Sequence, residues 1–302
     1  MLKRVLKSAA RIVAVVVALA LLAGTFGINL LMFHPVRWRY GRHTPGYVEI
    51  GTNGVRIAAI VFGPGHHASP SSQEPLRGKK AIIRCHGNAE SAPESLWPLK
   101  ALAADEGYTV ASAEYPGYGL SDGSPDEAGC YRNVHRLYDW LVETRGFKPE
   151  DIIIDGFSIG TGPATELAAT RPCGGLILEA PFLSAPRAVT RVRILPVDPF
   201  PNFKRIGDVK CRVLVIHGTD DRVIPYSHGK ALFELANEPK RFVSVEGADH
   251  NSLVDDMGCA EYIKLVKDFA DGDDSAASAG PKAPAEAAAD NPEEGKGAKE
   301  EQ

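Results

Sequence analysis

Between Tyr47 and Ala270, short apolar runs alternate with helical patterns, and that alternation leaves few folds open to the chain. Tyr47–Ile50 and Val55–Phe62, split by Thr52-Asn53-Gly54, read as an opening hairpin. Further strands are predicted at Ala81–Arg84, Thr109–Ala113, Ile152–Ile154, Gly175–Leu178, Val213–Ile216 and Arg241–Val245. Helix-like stretches lie around Glu94–Glu106, Asp126–Thr144, Gly162–Thr170, Ser227–Asn237 and Cys259–Ala270. Strand and helix alternating at this spacing predict right-handed βαβ units and an α/β domain whose mostly parallel central sheet is flanked by helices on both faces. In such a sheet the site lies at the carboxyl ends of the strands, so the loops that follow the strands are where chemistry is to be sought.

The most informative of these follows Ile152–Ile154. Gly156-Phe157-Ser158-Ile159-Gly160 precedes a helical pattern and reads as a strand, a sharp turn and a helix with Ser158 at the apex. Gly156 and Gly160 supply positions without a Cβ, which such a tight turn needs where the helix passes close to neighbouring strands. A plain Gly-rich turn that happens to carry a serine is the alternative. The loop His86-Gly87-Asn88-Ala89-Glu90 follows another strand, and its backbone N–H groups together with that of Ile159 would form a two-donor oxyanion hole. After Val213–Ile216 comes His217-Gly218-Thr219-Asp220-Asp221, where either aspartate would orient an imidazole, unless the two form a turn or a metal pair. No further carboxylates converge at a metal-ligand spacing, so no metal is expected. Glu246-Gly247-Ala248-Asp249-His250 places a histidine at the last strand end.

The two ends of the chain differ from this middle. Ile12–Phe33 is apolar and uncharged, follows Lys3, Arg4, Lys7 and Arg11, and as a helix rising about 1.5 Å per residue would cross a hydrocarbon core of about 30 Å. A signal peptide cleaved after Ala18-Leu19-Ala20 is the competing reading, but it would leave an apolar tail up to Phe33. Residues 1–11 then form a basic N-terminal segment and 34–46 a juxtamembrane linker, with the catalytic domain expected at 47–270 on the non-cytoplasmic side. From Asp271 to Gln302 there is no aromatic or β-branched residue, so a disordered acidic, Ala-rich tail is expected. A net charge of −4 provides no basic field for nucleic acid. The five cysteines contain no Cys-x-x-Cys pair and read best as small buried hydrophobes.

The motifs together carry a family likeness. The sequence resembles the α/β-hydrolase superfamily, and within it the small-cap, membrane-anchored subgroup that includes protein depalmitoylases and lysophospholipid lipases. The likeness runs from about Ile82 to Val266. It rests on His86-Gly87-Asn88-Ala89, on Tyr115-Pro116-Gly117-Tyr118-Gly119-Leu120-Ser121-Asp122-Gly123-Ser124-Pro125, on Gly156-Phe157-Ser158-Ile159-Gly160, on Asp198-Pro199-Phe200-Pro201-Asn202, on His217 to Ile224 and on Gly247-Ala248-Asp249-His250. Carried over by position, the resemblance implies that Ser158 is the nucleophile, His250 the general base and Asp221, rather than Asp220, the orienting acid. It implies oxyanion donors at Ile159 and Asn88. Glu114 departs from the aspartate usual at its position.

The resemblance implies a serine hydrolase of acyl esters or thioesters, without a cofactor, acting on a lipid or an acylated protein. A serine peptidase of the same fold and a non-catalytic binding module are the other readings. The segment 185–210 would form a small cap, and its Val189, Val192, Ile194, Leu195, Val197 and Phe200 would either face an acyl chain or cover the sheet.

Overall fold

The computed structural model describes Arg11, Asn29 and residues 32–37, 39–64, 78–190 and 198–273. Its centre is an eight-stranded sheet in the order β1-β2-β4-β3-β5-β6-β7-β8. The strands are β1 (Tyr47–Glu49), β2 (Ala58–Phe62), β3 (Ala81–Cys85), β4 (Thr109–Ala113), β5 (Ile152–Phe157), β6 (Gly175–Glu179), β7 (Arg212–Gly218) and β8 (Lys240–Val245). β2 is antiparallel to both β1 and β4, and every other pairing is parallel. The helices among the described residues are α1 (Ala92–Ser95), α2 (Lys100–Asp105), α3 (Glu127–Asp139), α4 (Thr161–Thr170), α5 (Ala185–Thr190), α6 (Asn202–Arg205), α7 (Tyr226–Leu235), α8 (Leu253–Met257) and α9 (Cys259–Asp271).

The sheet interior follows from the sequence. Strands covered on both faces read as unbroken apolar runs rather than alternating ones. Ile82, Ile153, Ile177 and Leu214 pack one face against Leu102 of α2 and Tyr262, Val266 and Phe269 of α9. Ile83, Ile154, Leu176 and Val215 pack the other against Val134 and Leu137 of α3, Leu167 of α4 and Leu232 of α7.

Three charged side chains interrupt these runs. Arg84 on β3, Asp155 on β5 and Glu179 on β6 are all buried, and one guanidinium nitrogen of Arg84 lies 2.7 Å from Asp155 and 2.9 Å from Glu179. The Tyr262 hydroxyl donates to Glu179 at 2.6 Å. Burial, opposed by Arg84 and reinforced by the Glu179 carboxylate, pushes Asp155 up to about 8.

This shift makes stability pH-dependent. Between the unfolded value near 4 and about 8 the folded state binds more protons at Asp155 than the unfolded state does. The stabilisation is complete below the lower value and declines as pH rises through the window. Urea midpoints are expected to fall from pH 5 to pH 8, and the slope is expected to flatten in Asp155→Asn.

Several elements differ from the sequence reading. The predicted strand Val55–Phe62 begins at Ala58, because amides before it are held elsewhere: Val55 donates to the Thr52 carbonyl and Arg56 to Asp122. The predicted helix Glu94–Glu106 is split into α1 and α2 by a 3-10 turn at Trp97–Leu99, since Pro98 cannot supply the helical amide. Asp271, read as the first residue of the tail, ends α9 and accepts from Tyr108 and Lys79. The rest of the tail, 274–302, lies outside the described residues, as does almost all of the predicted span 12–33. No helix among the described residues is long and apolar enough to cross a membrane.

Candidate active site

The parallel register brings four loops to one edge. β3 and β5 align Cys85 with Gly156, and β7 and β8 align Gly218 with Val245. The segments that follow therefore emerge side by side, with His86 after β3, Ser158 after β5, Asp221 after β7 and His250 after β8.

Ser158 has φ of 53°, a left-handed backbone that costs a non-glycine residue of order 1–3 kcal/mol and persists only where its surroundings enforce it. The enforcement is visible in the glycines. A Cβ on Gly160 would stand 2.1 Å from the Cys85 carbonyl oxygen, and one on Gly156 2.6 Å from the Ala164 Cβ. The turn fits only because both are absent. Gly160→Ala is expected to force α4 away from β3 and to cost about 3 kcal/mol of stability, read from a urea titration.

His250 connects the loops. Its Nε2 lies 2.9 Å from Ser158 Oγ and its Nδ1 2.8 Å from Asp221 Oδ2. An ionised carboxylate only accepts, so Nδ1 carries the proton and Nε2 accepts from the serine. The imidazole also stacks on Phe157, with ring centroids 5.3 Å apart. Arg84 lies over the other neighbour of that stack, 5.6 Å from the Phe157 ring centre.

Asp221, not Asp220, meets the histidine. Its Oδ1 accepts from the amides of Val223 at 2.9 Å and Ile224 at 2.7 Å, which fixes the carboxylate plane. Its Oδ2 lies 3.3 Å from His217 Nε2. Burial alone would raise this carboxyl, but the hydrogen bonds from His217 and His250 hold it well below the usual carboxylate range. Asp249 shapes the same edge by accepting from the amides of Arg222 and His250.

The Asn88 side chain fastens the segment that precedes the domain. It accepts from the His34 amide and the Tyr118 hydroxyl, both at 2.8 Å, and donates to the Met32 carbonyl at 2.7 Å. The backbone amide of Asn88, the proposed donor, makes no hydrogen bond among the described residues. The segment 32–37 is tied down further along: Gly119 donates to Val36 at 2.7 Å, Arg37 to Gly117 at 2.8 Å, and the buried Phe33 meets Phe200 edge-on at 6.0 Å. Glu90 closes the Asn88 loop from within by accepting from the Gly87 amide at 2.7 Å.

His86 and Glu114 are structural. His86 is fully buried, its Nδ1 on the Gly87 carbonyl at 2.9 Å and its Nε2 3.4 Å from Glu114. Burial would lower it, but the nearby Glu114 carboxylate holds it above the ordinary histidine value. Glu114 also accepts from the Ala92 amide at 2.9 Å and so pins the start of α1. Among the described residues no His, Cys, Asp and Glu cluster is arranged to hold a metal ion. Of the cap residues, 191–197 lie outside the described set and Phe200 is fully buried.

A serine raised at a strand-to-helix turn of a mostly parallel eight-stranded sheet, with an aspartate and a histidine gathered from later loops, defines the class. The chain belongs to the α/β-hydrolase superfamily; the family model described as alpha/beta hydrolase fold matches residues 80–192. The chain is 36% identical over 238 residues to Alpha/beta hydrolase domain-containing protein 17B of Homo sapiens, covering 77% of this chain and 78% of that protein. It is 36% identical over 254 residues to Alpha/beta hydrolase domain-containing protein 17C of Mus musculus, covering 82% and 75%. Among solved structures it is similar to the propionate-bound esterase Est2 of Thermogutta terrifontis, with a TM-score of 0.60, 19% identity and coverage of 77% of this chain and 96% of that one. At that identity the likeness speaks to the fold alone.

Proposed function

We propose that the chain is a membrane-anchored serine hydrolase that cleaves acyl esters or thioesters through an acyl-enzyme. The observation that carries this reading is His250, whose two ring nitrogens lie within hydrogen-bond reach of Ser158 and Asp221. His250 takes the serine proton as Oγ attacks the acyl carbonyl, and Asp221 stabilises the imidazolium that forms. The amides of Ile159 and Asn88 receive the oxyanion. The imidazolium then protonates the leaving alcohol or thiol, and the same histidine activates the water that releases the acid.

The membrane attachment rests on Ile12–Phe33, and the non-cytoplasmic side on the basic residues that precede it. A lipid or an acylated protein is the substrate class that suits a site tied to such a segment. The test is labelling of detergent-solubilised protein with a fluorophosphonate probe. An adduct on Ser158 that is absent from Ser158→Ala supports the reading, and an unlabelled wild type of native circular dichroism overturns it.

The two aspartates give a second test. In Asp221→Asn the amide can turn an N–H towards His250 Nδ1, which favours the wrong tautomer, so kcat is expected to fall about 10⁴-fold with a small change in KM. Asp220→Asn is expected to stay within about twofold of wild type, since Asp220 makes no contact with the imidazole. Equal losses in the two variants would remove Asp221 from its assigned role.

A further inference from the structure

Cys173 and Cys211 are far apart in sequence, separated by 38 positions, yet their sulfurs lie 3.1 Å from each other. Cys173 sits in the turn between α4 and β6, and Cys211 immediately precedes β7. β6 and β7 are neighbouring parallel strands whose register pairs Gly175 with Arg212. Carried back one residue, that register sets Cys211 level with Gly174, so Cys173 is one residue out of line with it, near enough for the two sulfurs to meet. The backbone already holds the two thiols where a bond needs them.

The other cysteines are placed differently. Cys85 and Cys130 are fully buried and Cys259 is exposed, whereas Cys173 and Cys211 are half-buried. An open cavity of about 350 Å³ lined by Ala168, Arg171, Pro172 and Lys210 reaches both sulfurs, so a reagent can approach them. Within the pair, the hydrogen bond from Cys173 lowers the Cys211 thiol, with Arg212 assisting, while the same bond and burial raise Cys173.

We propose that Cys173 and Cys211 form a disulfide that closes the excursion from β6 through the cap segment to β7. The oxidant is a protein or small-molecule disulfide. One thiolate of the pair attacks one of its sulfurs, forming a mixed disulfide and expelling one thiolate. The other cysteine, as its thiolate, then attacks the sulfur of the first, forming the intramolecular bond and expelling the second thiol. Two electrons and two protons leave the pair and reduce the oxidant to two thiols.

The bond lies at the amino ends of β6 and β7, opposite the edge that carries Ser158 and Asp221. It braces two elements of the site from below: α4, which begins behind Ser158, and β7, which ends before Asp221. Such bonds persist in oxidising compartments, which matches placement of the domain outside the cytoplasm.

The test uses the full chain in detergent, equilibrated with glutathione disulfide. Free thiols are blocked with N-ethylmaleimide under denaturing conditions, and half of each sample is digested without reductant. The expected result is a Cys173 peptide joined to a Cys211 peptide, two hydrogens lighter than their sum, with N-ethylmaleimide on Cys85, Cys130 and Cys259. N-ethylmaleimide on both Cys173 and Cys211 overturns the proposal, and so does glutathione retained on one of them without the cross-link. As a second readout, dithiothreitol is expected to lower Tm by about 10 °C in wild type and to leave Cys173→Ser unchanged. Equal responses of the two proteins to the reductant also overturn it. None of these readouts requires hydrolytic activity, so the outcome is separate from that of the fluorophosphonate experiment.

Discussion

Replacing Ser158 with alanine is expected to lower kcat for an acyl ester by at least about 10⁴-fold while leaving the protein folded. The loss is large because, among the described residues, the hydroxyl is the only nucleophile placed against His250 Nε2, at 2.9 Å. It is not expected to be total, because the oxyanion donors proposed at Ile159 and Asn88 would remain to assist attack by water. Ser158 also sits at φ of 53°, a conformation alanine adopts no more readily than serine, so the turn has little reason to relax. Combining Ser158→Ala with His250→Ala is expected to cost little more than either alone, since the two act as one unit. Single-turnover assays with p-nitrophenyl esters of increasing chain length would measure this, and additive losses in the double variant would separate the two residues mechanistically.

The second large effect lies beneath the site. Arg84→Met is expected to destabilise the fold by about 3–5 kcal/mol, because it strips the cation from two buried carboxyl groups, and Asp155, already pushed up to about 8, cannot by protonating relieve both. In a domain of this size that lowers Tm by about 10 °C or more. The loss comes from uncompensated charge rather than from lost volume, so Arg84→Met combined with Asp155→Asn and Glu179→Gln is expected to recover at least half of it. A triple variant no more stable than Arg84→Met would show that packing of the guanidinium, not charge balance, holds the strands. Because Arg84 also covers Phe157, on which His250 stacks, the single variant is expected to lose kcat even at temperatures where it is fully folded.

Most of the architecture was legible because strands buried on both faces announce themselves as apolar runs, as Ile152–Ile154 and Val213–Ile216 do. The linkage of Ser158, Asp221 and His250 was legible from loop position and family likeness. The choice between Asp220 and Asp221 needed that likeness, since both stand in the same loop and only the fold shows which one faces His250. What escaped notice is instructive. Arg84 closes a predicted strand, Asp155 and Glu179 each stand one residue past one, and their three-way pairing depends on strand order β3-β5-β6, which no local pattern encodes. Cys173 and Cys211 read as isolated small hydrophobes because their approach likewise comes from parallel strands far apart in sequence. The Asn88 side chain gave no signal because its partners Met32 and His34 straddle the end of the segment read as a span and the start of the one read as a linker.

That segment has a mechanical meaning. On the reading that Ile12–Phe33 crosses a bilayer, the end of the span and the oxyanion loop are fastened to one another, with Phe33 wedged beside Phe200 and the Met32 carbonyl held by Asn88. Such a fastening would remove the slack of several residues, each worth about 3.5 Å of reach, by which a loosely linked domain drifts away from the membrane surface. The enzyme would then sit as a fixed turret, its mouth at a set height above the lipid. It would meet its substrates by their lateral diffusion within the leaflet, and the rate would follow their surface density rather than their concentration in bulk water.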